Sequence, residues 1–126
     1  MFRDLIGKPY EDLGRGPDSY DCWGVVIEVG KRLGIEIPDY QMIPKNFAEV
    51  VDKYKEVEKD YRLVPMGLQR AGDIVMYKRY GGGLHFGVMI DERTMLHSSQ
   101  SLLGIHAVRL DHPILTRLVK GIYRVC

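Results

Sequence analysis

The sequence predicts an α+β fold in which N-terminal helices pack on an antiparallel β-sheet. The first indication is helical periodicity between Cys22 and Leu33. The second is a series of short runs rich in β-forming residues after Gly72, separated by glycine and polar residues at hairpin spacing. The third is size, because 126 residues with 45% hydrophobic content suit a single domain over residues 1–126 with one core.

Three helical segments are predicted in the first half of the chain. A short helical opening lies around Phe2 to Ile6 and ends at the turn Gly7-Lys8-Pro9. The next segment, Cys22 to Leu33, ends at Gly34, a residue typical of helix C-termini. One face of this helix is apolar, comprising Val25, Val26, Val29 and Leu33. A further helix begins at Asn46, which with Glu49 forms a plausible capping arrangement.

Five strands are predicted in the second half of the chain, each bounded by glycine or polar residues. They span Asp73 to Lys78, Leu84 to Ile90, Thr94 to Ser98, Gly104 to Leu110 and Gly121 to Val125. Helices that precede strands in this way are typical of an α+β fold rather than of alternating α/β units.

Cys22 is the most informative residue, because it stands between a turn-forming stretch and the first long helix. At a helix N-terminus the macrodipole and unpaired N–H groups lower a thiol pKa, which makes Cys22 a candidate nucleophile. The competing interpretation is a small apolar residue chosen for packing. Cys126 is the second cysteine, and we expect two free thiols, with a Cys22–Cys126 disulfide as the alternative.

His85 and His97 are expected on neighbouring strands. Period-2 alternation places His85 on the same strand face as Gly87 and Met89, with Phe86, Val88 and Ile90 on the other. A hairpin that turns at Asp91-Glu92-Arg93 lays the strand of His97 beside that of His85, so the two imidazoles can touch. Taken singly, each histidine is more readily explained as a surface or hydrogen-bonded residue.

Together, Cys22, His85 and His97 supply a nucleophile, a general base and an orienting group, which is a catalytic triad in outline. The same three residues could instead form a zinc site with an open position, but no local ligand motif supports one. His106 and His112 are interpreted as surface residues. Gly81-Gly82-Gly83 is interpreted as a flexible loop beside the site, and Tyr40, Tyr77 and Tyr80 as core or rim tyrosines, with a place in the lining of the cleft as the alternative.

Charge and hydropathy exclude two classes of partner. The 18 Lys and Arg nearly cancel the 17 Asp and Glu, so the chain has no basic field that would attract nucleic acid or an anionic membrane. No stretch of 18 apolar residues exists, and the first residues lack the apolar region of a signal peptide. We therefore expect synthesis in the cytoplasm and no membrane partner.

Five short motifs occur along the chain, and their order and spacing are informative. They are Tyr10, Asp21-Cys22-Trp23-Gly24, Ala71-Gly72-Asp73-Ile74-Val75, His85-Phe86-Gly87-Val88 and Leu96-His97-Ser98. In this order and spacing the chain resembles the NlpC family of bacterial cell-wall cysteine peptidases. The resemblance implies a papain-like α+β core and hydrolysis of an amide in peptidoglycan stem peptides, between γ-D-glutamate and a diamino acid, without metal or organic cofactor.

The resemblance also implies roles for individual residues. Cys22 would be the nucleophile, His85 the base and acid, and His97 the orienting residue. The Tyr10 hydroxyl would help to bind substrate or the oxyanion. Many members of the family have serine where this chain has Trp23, whereas Asp21 is retained and would be available to a substrate ammonium group.

In the aromatic residue after the cysteine and in the segment Leu33 to Tyr40 after the helix, the chain resembles a branch of the family found in bacteriophage and prophage tail proteins. Such proteins leave the cell on a virion, which would account for a wall enzyme without a secretion signal, and their partners are other tail proteins. Two alternatives remain at this point: a catalytically silent structural tail component, and an acyltransferase or thioesterase on the same fold.

Overall fold

The computed structural model describes residues 2–39, 61–78, 84–100 and 103–125. The helix predicted from Asn46, the glycine run 81–83, Tyr40, Tyr80 and Cys126 lie outside these ranges. Within them the helical elements are a 3₁₀ turn at Arg3–Leu5, helix α1 at Cys22–Arg32 and helix α2 at Pro113–Leu118. None of the described helices has the length and apolar character needed to cross a membrane.

Helix α1 forms where the periodicity predicts it, because both of its ends are capped. The Asp21 side chain accepts a hydrogen bond from the Gly24 N–H, which satisfies one of the first-turn donors. At the other end Leu33 donates its N–H to helix carbonyls, and Gly34 takes the left-handed conformation with φ of +75°. The predicted stop at Gly34 is therefore confirmed.

The described strands are β1 Tyr61–Leu63, β2 Ile74–Lys78, β3 Leu84–Met89, β4 Thr94–Ser99, β5 Gly104–Arg109 and β6 Val119–Val125. They form one antiparallel sheet in the order β1-β6-β2-β3-β4-β5. A turn at Asp91, whose carboxylate accepts from the N–H groups of Arg93 and Thr94, joins β3 to β4. The α+β class and the hairpin that brings the two histidine strands together are confirmed.

Alternation along the strands gives the sheet two apolar faces. Phe86, Val88 and Ile90 pack in the cluster that contains α1, as predicted, whereas Met89 belongs to a second cluster. Helix α1 rests on β3 and β4. The second cluster includes Leu115 and Leu118 of α2 and thus lies on the opposite side of the sheet.

Two elements were not expected from the sequence. Strand β1 spans only three residues, too few for a readable alternation, and is formed by pairing with β6. Helix α2 spans six residues, and His112 caps it by accepting from the Ile114 N–H at 3.3 Å. His106 and His112 are both exposed, which confirms that they are surface residues.

Candidate active site

Cys22 is the first residue of α1 and carries a free thiol, so it does not form the alternative disulfide. Its side chain is wholly buried, with none of its surface exposed, in the cluster between α1 and the sheet. A substrate carbonyl therefore reaches the sulfur only when neighbouring residues move aside. Because Cys22 lies in the first turn, its backbone N–H has no acceptor within the helix and can donate to an oxyanion.

The pKa of Cys22 is raised, whereas its position at the helix N-terminus predicts a lowered pKa. Burial raises the pKa of the thiol to about 12, and the Asp21 carboxylate adds to the rise. The Phe86 and Trp23 N–H groups act in the opposite direction but do not prevail. The macrodipole contributes at most about 2 kcal/mol, less than the desolvation of a buried thiolate. Cys22 thus rests as a thiol.

The Phe86 N–H acts to lower the pKa of the Cys22 thiol, which shows that the sulfur lies close to this N–H group. Phe86 directly follows His85 on β3, so the thiol lies near the backbone that joins these two residues. The structure therefore brings the head of α1 to the start of β3, whereas contact between the Cys22 sulfur and the His85 ring stays a prediction.

Asp21 is fully buried and its oxygens are engaged within the protein. One carboxylate oxygen accepts from the Gly24 N–H and from Arg15 Nη1, each at 2.7 Å, and the other accepts from the Leu13 N–H at 3.1 Å. Arg15 in turn binds Asp39, which follows α1 in the sequence. Contact of Asp21 with a substrate ammonium group stays a prediction, and this arrangement does not favour it.

The residues after Cys22 are fixed by packing. Trp23 is buried, donates its indole N–H to the Pro38 carbonyl at 2.9 Å and meets Phe86 edge to face at 5.2 Å between ring centroids. A Cβ at position 24 would collide with the Gly14 carbonyl oxygen, so only glycine fits there. Trp23 is therefore a residue of the protein core.

His85 and His97 lie on adjacent strands, β3 and β4, and a tyrosine joins them. Tyr77 on β2 pairs in register with His85, and its hydroxyl lies 3.0 Å from Nδ1 of His97. The Tyr77 ring centroid is 6.0 Å from that of His85 and 5.9 Å from that of His97. Tyr77, interpreted above as a core or rim residue, thus belongs to the candidate site. The sequence signal for Tyr77 was its position in the alternating pattern of β2, because alternation decides which face of the sheet a side chain occupies.

His97 is held neutral by its surroundings. Burial lowers the pKa of His97 to about 4, and the charges of His106 and His85 act in the same direction. The Nε2 atom of His97 is buried and has no hydrogen-bond partner among the described residues. Within this part of the chain, His97 therefore has one ring nitrogen engaged by Tyr77 and one available to a further group.

Ser98, the residue after His97, ties β4 to the segment before α1. Its hydroxyl donates to the Tyr20 carbonyl at 2.6 Å, and both residues are buried. Tyr20 N–H in turn donates to the Pro9 carbonyl at 3.0 Å. This contact between residues 78 positions apart holds the head of α1 against the histidine strand.

Tyr10 lies near Cys22, and its hydroxyl donates to Asp12 at 2.9 Å. Burial raises the pKa of Tyr10 above its ordinary value, and the hydrogen bond with Asp12 and the charges of Asp12, Cys22 and Asp21 add to the rise. The phenol is thus neutral, and its hydroxyl donates to Asp12. Its predicted role in binding substrate or oxyanion stays a prediction.

Among the described residues, no group of three or more His, Cys, Asp or Glu is arranged to hold a metal ion. The alternative that Cys22, His85 and His97 are zinc ligands therefore receives no support from their arrangement.

Comparison with known proteins identifies the family of the chain. The model of the NlpC/P60 family matches residues 7–124, which is most of the chain. This family is in general one of cysteine peptidases and hydrolases that act on cell walls. No protein in the curated set matches the chain.

Solved structures of the same family share the fold. The chain is similar to an NlpC/P60 family protein from Bacillus cereus, with a TM-score of 0.65 and 21% identity, over 99% of this chain and 40% of that one. A lipoprotein-like NLP/P60 family protein from Staphylococcus aureus gives a TM-score of 0.63 and 21% identity, over 98% and 38%. NlpC2 from Trichomonas vaginalis gives 0.63 and 19%, over 98% and 44%. The chain thus spans about two fifths of the length of these proteins.

Proposed function

The chain belongs to the NlpC/P60 family, and on that basis we propose that it is a cysteine peptidase that hydrolyses peptidoglycan stem peptides. The bond we propose is the amide between γ-D-glutamate and a diamino acid. The single observation that carries the proposal is the meeting of the Cys22 thiol with β3 at the residue after His85, in a sheet that carries His97 on the next strand.

The proposed reaction begins with proton transfer from the Cys22 thiol to a ring nitrogen of His85. Because burial holds the thiol pKa at about 12, the thiolate forms only as the imidazole accepts the proton. The sulfur then attacks the scissile carbonyl carbon, and the electron pair of the carbonyl moves onto oxygen. We propose that the Cys22 N–H at the head of α1, which has no acceptor within the helix, donates to this oxyanion.

The intermediate collapses by breaking the carbon–nitrogen bond. His85 returns its proton to the leaving amine, which leaves a thioester on Cys22. A water molecule then attacks the thioester, giving its proton to His85, and the free carboxylate departs as the thiol is regenerated. His97 orients His85 throughout, and Tyr10 is proposed to contact the substrate or the oxyanion.

The experiment is incubation of the protein with muropeptides that contain γ-D-glutamyl-diaminopimelate or γ-D-glutamyl-lysine, followed by mass spectrometry. We expect products that differ by one water across that amide bond, and no products after alkylation of Cys22. His85→Ala should lower turnover more than His97→Ala, because proton transfer is worth more than orientation. Turnover that survives complete alkylation of Cys22 would contradict the proposal.

We further propose that the protein acts as part of a phage or prophage tail, on the strength of the aromatic residue Trp23 that follows the nucleophile. Its partners would then be other tail proteins. Mass spectrometry of purified particles from a host strain that encodes the chain should detect it. Its absence from such particles would contradict this part of the proposal.

A further inference from the structure

The Tyr77 hydroxyl reaches across a whole strand to contact His97. Tyr77 lies on β2 and His97 on β4, and β3, which carries His85, runs between them. The oxygen to Nδ1 distance is 3.0 Å, and both side chains are more than nine-tenths buried. A hydrogen bond shielded from water in this way restricts both the ring orientation and the proton position of the imidazole.

A neutral imidazole has one N–H donor and one acceptor nitrogen. Burial keeps His97 neutral by lowering its pKa to about 4. Tyr77 engages Nδ1, so Nε2, which is buried without a hydrogen-bond partner among the described residues, is the nitrogen that can serve His85.

The proposed function determines which nitrogen must carry the proton. To accept the proton of Cys22, His85 needs a lone pair on one ring nitrogen and therefore carries its own proton on the other. His97 orients His85 best by accepting that N–H. The acceptor must then be Nε2 of His97, which leaves the proton on Nδ1, where the Tyr77 oxygen accepts it.

We propose that Tyr77 is a positioning residue, which holds His97 in the tautomer protonated on Nδ1 and so keeps Nε2 as the acceptor that His85 uses during the reaction. The inference rests on the proposed function. Tyr77 does not touch the substrate in this account, and the effect of its hydroxyl passes through His97. The competing account is that Tyr77 only fills space in the core beneath the two histidines.

The Tyr77→Phe variant separates these accounts, because phenylalanine keeps the ring and removes the hydroxyl. We expect kcat on a muropeptide to fall about two- to tenfold, the range for one buried neutral hydrogen bond, with KM unchanged. Tyr61→Phe, another buried tyrosine on β1, is the matched control and should keep full kcat. In a His97→Ala background, Tyr77→Phe should lower kcat no further.

A second measurement does not depend on activity. Nitrogen-15 NMR of the histidine rings, assigned with His97→Gln, should show Nδ1 of His97 protonated in the unmodified protein and mixed tautomers in Tyr77→Phe. Full kcat in Tyr77→Phe, an equal loss in the His97→Ala background, or a proton on Nε2 in the unmodified protein would overturn the inference. If the unmodified protein cleaves no muropeptide, the proposed function fails and the NMR result alone decides the placement of Tyr77.

Discussion

The Ser98 hydroxyl donates to the Tyr20 carbonyl at 2.6 Å, and this contact joins the strand of His97 to the segment that leads into Cys22. The two residues are far apart in the sequence and fully enclosed in the structure. The two segments that carry the proposed nucleophile and the proposed orienting histidine are thus joined by a hydrogen bond that involves neither of those residues.

Ser98→Ala should lower both stability and turnover. Loss of the hydroxyl leaves a buried carbonyl without this donor, which costs about 1–3 kcal/mol in the free energy of unfolding. Urea denaturation measures that cost, and muropeptide hydrolysis measures the loss of turnover that we expect from displacement of α1. Ser19→Ala, whose hydroxyl bonds Glu11 at the surface, is the control and should change stability by less than about 0.5 kcal/mol. Equal effects of the two substitutions would contradict the prediction.

Cys22→Ala should abolish hydrolysis and leave the fold intact. The thiol supplies the nucleophile, whereas its packing contributes only about 1 kcal/mol to stability. Circular dichroism checks the fold, and product analysis checks the activity. Cys126→Ser is the matched control, since it removes the other cysteine and should keep full activity. Hydrolysis by Cys22→Ala would remove this residue from the mechanism.

The Cys22 thiol should react slowly with iodoacetamide at neutral pH. Its pKa is about 12 and its side chain is wholly enclosed, so little thiolate is available in the resting protein. The alkylation rate in a Cys126→Ser background should rise continuously up to at least pH 10. A plateau near pH 7 would show instead that the helix terminus dominates the thiol pKa.

Asp21 should matter more for stability than for substrate binding. Asp21→Ala removes both the cap of α1 and the partner of Arg15, at a cost of about 2–4 kcal/mol in the free energy of unfolding. Asp21→Asn keeps the cap and should cost about half as much. Denaturation and KM are measured together on Asp21→Asn. A large rise in KM without loss of stability would favour contact of Asp21 with a substrate ammonium group.

Stability should fall in mild acid because of His97. Its pKa is about 4 in the folded protein against an ordinary 6.5, so the unfolded chain binds the proton first between these values. The free energy of unfolding is therefore highest above pH 6.5, decreases as the pH falls and has lost about 3 kcal/mol by pH 4.

His97→Gln should remove most of this acid-dependent loss, as measured by urea denaturation at pH 4 to 7. The control is His106→Gln, on the neighbouring strand β5 and exposed, which should keep most of it. A loss of the same size in both variants would show that carboxyl groups, and not His97, are responsible.

Local pattern determined a large part of this fold. Helix α1 and five strands follow from periodicity and bounding residues, and strand alternation separates Phe86 and Val88 from Met89. These properties depend on neighbours within a few positions along the chain, which is why they can be read from it. Strand β1 and helix α2 are too short to carry such a pattern.

The chemistry of the candidate residues depended on the tertiary structure. The sequence predicts a lowered pKa for Cys22 from its helix position, yet burial by distant segments raises it. The Asp21 carboxylate accepts hydrogen bonds from Arg15 and Gly24, and the Tyr77 hydroxyl contacts His97 across an intervening strand. Desolvation and long-range hydrogen bonds depend on which distant segments meet, and no local pattern encodes that meeting.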